Sequence, residues 1–330
     1  MSKTIDVTGV GAAIVDVLSN IEDRFLDDNG LKKSAMTLID EPTSDALYEK
    51  MPTTMECSGG SVANSIAGVA SFGGKASFIG KVKNDQFGKI FSHDIRSVGV
   101  EFETPPTTEG PSTSSCLVAI TPDAERTMQT YLGASTQLSF DDLDEEKIKA
   151  SKILYLEGYV MDIEIGLEWL NRAADIAHAN DTLVALNLSD PWFVDRHRDA
   201  LLGFVKEKVD ILLGNDGEAT SLFKTTTLQD ALNIIDSIVP VAAITKGAEG
   251  SIICKDGEQY EVKADAVTNV VDTTGAGDLY AAGVLYGLAQ GKDPATCGRL
   301  GSLAAAEVIS HIGARPQKPL AELAQEKLAA

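Results

Sequence analysis

"KILYLEGYVMDIEIGLEWLNRAADIAHANDTLVALNLSDPWFVDRHRDALLGFVKEKVDILLGN" occupies residues 152–215, and its rhythm decides the fold class. Short, nearly continuous apolar runs at 152–159, 182–189 and 209–215 are separated by amphipathic stretches at 164–180 and 198–208. Apolar strands of this kind, alternating with helices, read as a parallel sheet covered on both faces. The pattern continues through a helix near 228–239 and a strand, "VAAITKG", at 241–247. The expected architecture is a three-layer α/β/α core around a mostly parallel sheet.

Two segments break the rhythm. Residues 13–42 and 111–137 read as short strands and turns without long helices. In "STSSCLVAITPDAERTMQTYLGAS" (112–135), two strands join around Thr121-Pro122-Asp123-Ala124. A small β-sheet beside the core is expected, placed as a lid over a site at the strand ends. Residues 1–12, 43–110 and 138–330 then form the large nucleotide-binding and catalytic domain.

The chain has 330 residues, 44% hydrophobic and 23% charged, enough for one large α/β domain with a small companion. Its 49 acidic and 28 basic residues leave a net charge of −21. Such a surface repels nucleic acid, and an anionic substrate needs a cation, a helix N-terminus or a metal ion to approach. The apolar runs are short of a membrane span, and "MSKTIDVTGVGAAIVDV" (1–17) has no signal-peptide layout. A cytoplasmic protein without a membrane partner is expected, as a monomer or homodimer. Cys57, Cys116, Cys254 and Cys297 are scattered and read as reduced, buried thiols.

"VVDTTGAGDLYAAGVLYGL" (270–288) carries the chemistry. An apolar run ends at Asp272, the small residues Thr273 to Gly277 follow, and a helical pattern begins, which reads as a strand-to-helix turn. Backbone N–H groups and a helix dipole converge at such a turn and invite an anion. The turn has no lysine, so the chemistry falls to Asp278 in the first helical turn. The dipole is expected to keep that carboxyl charged. The residues alone leave a second reading open: a tight bend with a solvated acid.

Two more stretches admit paired readings. In "GGSVANSIAGVASFGGKASFIGKVKNDQFG" (59–88), Gly59-Gly60 lets backbone approach a ligand at a helix start, with Asn64 in the first turns. A loop before an Ala-rich packing helix would look the same. In "GNDGEATSLF" (214–223), Asn215 and Glu218 have the spacing of a capping box, at a helix start that also favours phosphate.

"DTTGAGD" (272–278) is the hallmark of the ribokinase-like, or PfkB, family of small-molecule kinases, and the chain resembles that family. The resemblance implies a ribokinase-like fold and phosphoryl transfer from ATP with Mg²⁺ to an alcohol. Gly275, Ala276 and Gly277 would stabilise the transferring phosphoryl oxygens, with Thr274 beside ATP. Asp278 would take the acceptor's proton, and Gly59, Gly60 and Asn64 would hold sugar hydroxyls. Asn215 and Glu218 match the family's Asn-x-x-Glu motif, which implies an indirect hold on Mg²⁺ through water. "ITKG" (244–247) places Thr245 and Gly247 near ATP. The family also implies a monovalent cation such as K⁺ near the anion turn.

Within the family the likeness is to its adenosine kinases, over nearly the whole chain. "FLDDNGLKKSAMTLIDE" (25–41) and "CLVAITPDAERTMQTYLGAS" (116–135) resemble their lid, and residues 183–220 their core. Asp16 matches the acid that grips ribose hydroxyls, and Arg126 a lid arginine that closes over the phosphates. Animal-type adenosine kinases read Gly-Asn-Pro-Leu-Leu-Asp where this chain has Gly11-Ala12-Ala13-Ile14-Val15-Asp16. Where they read Gly-Phe-Phe, it has Gly158-Tyr159-Val160. The expected reaction is phosphorylation of a nucleoside 5′-hydroxyl, adenosine foremost. A ribokinase- or fructokinase-type sugar kinase and a nucleoside-binding regulatory protein are the alternatives.

Overall fold

The computed structural model describes residues 3–123 and 125–328. The first eight strands are β1 (Ile5–Val10), β2 (Ile14–Asn20), β3 (Met36–Leu38), β4 (Met55–Gly59), β5 (Ala76–Ile79), β6 (Val100–Phe102), β7 (Ser114–Ile120) and β8 (Arg126–Tyr131). Then come β9 (Ser151–Glu157), β10 (Leu183–Asn187), β11 (Ile211–Asn215), β12 (Val241–Thr245), β13 (Ser251–Lys255) and β14 (Glu258–Val262). The first six helices are α1 (Asp23–Asp28), α2 (Glu41–Tyr48), α3 (Ser61–Ser71), α4 (Gln86–Ser97), α5 (Glu145–Ala150) and α6 (Gly166–His178). They are followed by α7 (Pro191–Lys208), α8 (Asp216–Phe223), α9 (Leu228–Ile238), α10 (Ala276–Ala289), α11 (Pro294–Val308) and α12 (Leu320–Leu328).

Nine strands form the large sheet in the order β14-β13-β12-β11-β10-β9-β1-β5-β6. From β6 to β12 every neighbour is parallel, and only β12–β13–β14 run antiparallel. Alternate residues feed opposite faces. Ile153, Tyr155, Ile211 and Leu213 join the cluster built with α3, α10 and α11. Leu154, Leu156, Val184 and Leu212 join the cluster built with α6, α7 and α9. This is the three-layer α/β/α core, of ribokinase-like type. The chain leaves β1 in one direction through β5 and β6, then in the other through β9 and β10, so the crevice opens at the C-terminal ends of β1 and β9. Among the described residues no helix is long and apolar enough to cross a membrane.

The second sheet has five strands in the order β3-β8-β7-β2-β4. β7 and β8 form the expected antiparallel hairpin; of its turn, Ala124 lies outside the described residues. The small sheet also extends past residue 42, because β4 pairs antiparallel with β2, Asp16 opposite Cys57. Residue 42 itself lies at the start of α2, whose N-cap Asp40 accepts from Thr43 N. "MECSG" shows no clean period-2 alternation, so only the pairing reveals it as a strand. Leu47 and Met51 pack with Val15, Val17 and Leu117 on one face of this sheet. Ile14, Leu18, Cys57, Cys116, Val118, Ile120 and Met128 cluster on the other.

Two local expectations change. No strand precedes the 272–278 turn: residues 263–275 carry none, and Val270 is 56% exposed. The loop is held instead by Val271 N donating to Ile309 O at 2.8 Å, so its apolar letters meet the end of α11 rather than a sheet. Helix α7 begins at Pro191 and not near 198, because Asp190 caps it by accepting from Phe193 N and proline suits the first helical position.

Candidate active site

The N-termini of α3, α8 and α10 gather where β9, β10 and β11 end. Asp278 stands three residues past the N-cap Gly275 of α10. Its Oδ1 accepts from Ser61 Oγ at 2.7 Å and its Oδ2 from Asn64 Nδ2 at 3.0 Å. Asn187 Nδ2 at the end of β10 donates to Ser61 Oγ at 3.2 Å. Asn64 is only 5% exposed, and its Oδ1 has no partner among the described residues. Burial pushes the Asp278 carboxyl above the usual carboxylate range; Asn64, Ser61 and the Arg315 charge pull it back in part. The expectation that the dipole dominates is corrected, because a helix dipole is worth at most ~2 kcal/mol and dehydration of a carboxylate costs more.

Gly275 adopts φ 77°, and a Cβ there would stand 2.8 Å from Ala314 Cβ, so the turn needs glycine twice over. Ala276 N donates to Thr273 O at 3.2 Å, while Gly277 has open space on its side-chain side. Thr274 N donates to Asp272 Oδ1 at 3.0 Å, and Asp272 Oδ2 accepts from Gly313 N at 2.9 Å. Arg126 on β8 makes an ion pair with the same Asp272 oxygen, so the small sheet touches the anion turn directly.

Asp16 lies mid-strand in β2 between Cys57 and Cys116. A Cβ on Gly59 would come within 2.3 Å of its carboxylate, so that glycine makes room for the acid. Burial pushes Asp16 up to about 6, the Arg315 and Arg126 charges pull it down, and Asp278 pushes it up. Asp16 therefore feels the charge of Asp278. Gly60, with φ 96°, presses on Ala12 O, where a Cβ would stand 2.3 Å away.

Asn215 and Glu218 close on each other. Glu218 Oε2 accepts from Asn215 N at 2.9 Å and Oε1 from Asn215 Nδ2 at 2.7 Å, while Asn215 Oδ1 accepts from Glu218 N at 2.8 Å. Glu218 is 4% exposed, and burial with the charges of Asp190, Asp216 and Asp278 lifts it to about 7. Thr245 stands opposite Asn215 across β11 and β12, with Oγ1 3.5 Å from Gly214 O, and Gly247 has open space beside it.

Sequence reading passed over Ser61, Asn187 and Glu157. Glu157 ends β9 at the crevice and is 2% exposed, and its Oε2 accepts from Ala12 N at 2.6 Å. Burial raises it to about 7, with Asp278 adding to the rise. An acid closing the apolar run "KILYLE" was the only signal. Asp85, inside the stretch read as sugar-binding, caps α4 and accepts from Thr113 N at 2.8 Å.

Residues 34–321 match the pfkB family of carbohydrate kinases. The chain belongs to that family. A probable sugar kinase from Rhizobium etli CFN 42 has the same fold, with TM-score 0.92 and 43% identity over 100% of both chains. The adenosine kinase from Sinorhizobium meliloti superposes with TM-score 0.91 and 42% identity, covering 99% of each chain. A 5-dehydro-2-deoxygluconokinase of Listeria monocytogenes is 28% identical over 284 residues, 83% of this chain and 87% of that one. This pfkB chain is thus a kinase for a sugar or nucleoside, transferring phosphate to a hydroxyl group. Membership implies ATP as the donor, with Mg²⁺.

Proposed function

We propose that this kinase phosphorylates the 5′-hydroxyl of a nucleoside, adenosine foremost, as in purine salvage. The observation that carries the reading is one acid on an apolar face. Asp16 shares a cross-strand row with Cys57, Cys116, Thr130 and Leu38; the next row is Met55, Leu18, Val118, Met128 and Met36. Met36 and Leu38 are 49% and 51% exposed, so this face is open at its β3 edge. A carboxylate can accept both vicinal ribose hydroxyls, while the apolar row suits a flat base. An acceptor with hydroxyls all round would leave polar groups unpaired against Leu38 and Met128. The adenosine kinase from Sinorhizobium meliloti, at 42% identity, supports the same choice.

In this reading Asp278 takes the proton of the acceptor hydroxyl as the phosphoryl group arrives at the start of α10. Its raised pKa suits a base that must gain a proton in the transition state. Gly277 and the neighbouring turn offer backbone N–H groups to the phosphoryl oxygens, and Arg126 supplies positive charge from the lid. Asn64 Oδ1, buried and unpartnered, fits a substrate hydroxyl donor. Among the described residues no three His, Cys, Asp or Glu side chains gather to hold a metal directly. The closed Asn215–Glu218 pair fits Mg²⁺ held through water, an ion that keeps several waters and takes phosphate oxygens. When bound it would neutralise phosphate charge near an acidic surface. A monovalent cation beside the turn is part of the proposal, without assigned ligands.

A sugar acceptor is the second reading, favoured by Glu157, a buried acid at the crevice that suits a polyol better than a base. A coupled ATP-turnover screen over nucleosides and five- and six-carbon sugars separates the two. Adenosine should exceed every sugar in kcat/KM by roughly 10²-fold or more. A sugar leading the series would overturn the nucleoside reading.

A further inference from the structure

The segment "HIGARPQKP" (311–319) carries no motif that sequence reading singled out, yet Arg315 runs from it into the hinge of the small sheet. Its Nε and Nη2 donate to Ser58 O at 3.2 and 3.0 Å, Nη2 also to Ser58 Oγ at 2.9 Å, and Nη1 to Ala63 O at 3.0 Å. Ser58 in turn donates from N and Oγ to Asp94 Oδ2, at 2.7 and 2.6 Å. Ser58 is the penultimate residue of β4, just before Gly59-Gly60. Ala63 lies in the first turn of α3, between the Ser61 and Asn64 that hold Asp278. One planar fork therefore ties the exit of the small sheet to the helix that orients the acid.

All four of these hydrogen bonds end on uncharged oxygens. A buried guanidinium bound only to neutral acceptors is costly unless nearby anions compensate it. The anions it serves are Asp94 on α4, Asp16 on β2 and Asp278 on α10, with the Cys57 thiol of β4 beside them. The other charged groups bearing on Asp16 and Asp278 are Arg126 of β8, whose charge acts on Asp16, and the acids Glu157 and Glu218, which feel Asp278. We propose that Arg315 is a positioning residue for phosphoryl transfer: its fork fixes the exit of the small sheet, which carries Asp16, against the start of α3, which holds Asp278. Its charge acts in the same direction, pulling both carboxyls back toward their ionised forms. The inference rests on Asp278 as the base and Asp16 as the acid that binds the acceptor.

The test compares Arg315→Gln, Arg315→Lys and Asp278→Asn, using the acceptor that turns over fastest. Removing the charge raises the carboxyl pKa values, so activity is lost at a higher pH as the solution is acidified. For Arg315→Gln the acid limb of kcat/KM should move up by about one pH unit. Arg315→Lys keeps a charge and loses the fork; its limb should stay near the parent's, while KM for the acceptor rises and exchange of amides 55–64 quickens. An unmoved limb in Arg315→Gln, with Asp278→Asn inactive, overturns the role of Arg315 and leaves the base reading standing. An active Asp278→Asn overturns the base reading instead. If melting curves show that Arg315→Gln does not fold, Arg315→Lys decides: unchanged KM and exchange overturn the proposal.

Discussion

Two helices begin at the same edge of the large sheet with an acid three residues past the N-cap: Glu218 on α8 after Asn215, and Asp278 on α10 after Gly275. In α8 the N-cap has a side chain, and the acid folds back onto it through the N–H and amide of Asn215. In α10 the N-cap is a glycine with nothing to offer, and the acid is taken by Ser61 and Asn64 from a different helix. Both carboxyls are raised by burial. The first is a closed local motif with little freedom to accept a substrate proton. The second is held by donors from a different helix, and its charge acts on Asp16 of the small sheet. Equal spacing within a helix thus produces unequal chemistry, because the N-cap decides whether the acid is occupied at home.

The largest effect expected from this contrast is at Asp278. Asp278→Asn should keep the fold and ATP binding and lose turnover by ~10²–10⁴-fold, the usual worth of a general base. Single-turnover and nucleotide-binding measurements separate the two quantities; a loss below about tenfold would make Asp278 no more than a second capping acid.

Asp16 comes next. Asp16→Ala should raise the acceptor KM by roughly 10²-fold with little change for ATP, since two charge-assisted hydrogen bonds at ~1.5–3 kcal/mol each are lost. The parent should use 2′-deoxyadenosine poorly, and the variant should barely distinguish it from adenosine. Equal use of both by the parent would remove Asp16 from the substrate site.

The smallest effect concerns pH. Burial holds Asp16 at about 6 and Glu157 and Glu218 at about 7, against about 4 for unfolded carboxyls. The folded state keeps protons that the unfolded chain has released, so their contribution is full below about pH 4 and fades as pH rises through 6 to 7. Acids held low, such as Asp123 at about 2, act below that window. The melting temperature of the unliganded protein should fall between pH 5 and 7.5. In Glu218→Gln the fall should shrink by roughly 2 °C, which is what about 1 kcal/mol is worth at this size. A parent melting temperature that rises across this window contradicts the burial of these acids.

Local chemistry was legible wherever it repeats at short range. The continuous apolar runs of β9 to β12, the Asn215–Glu218 box and the Gly-rich turn before α10 each follow from a few adjacent letters, so composition and spacing sufficed for them. The resemblance to PfkB kinases rested on short motifs of the same kind, "DTTGAGD" foremost, with the Gly59-Gly60 stretch and the Asn215–Glu218 pair beside it. What required the tertiary structure was every partnership across the chain. β4 is a strand only because β2 lies beside it. Val270 and Val271 resemble a strand but dock on the end of α11. Asp278 is charged or neutral according to burial and the donors Ser61 and Asn64, some 214 residues earlier. Arg315 matters through Ser58, 257 residues away. Side-chain spacing along one element is set by covalent geometry, whereas the desolvation and field felt by a carboxyl are set by whatever the fold packs around it.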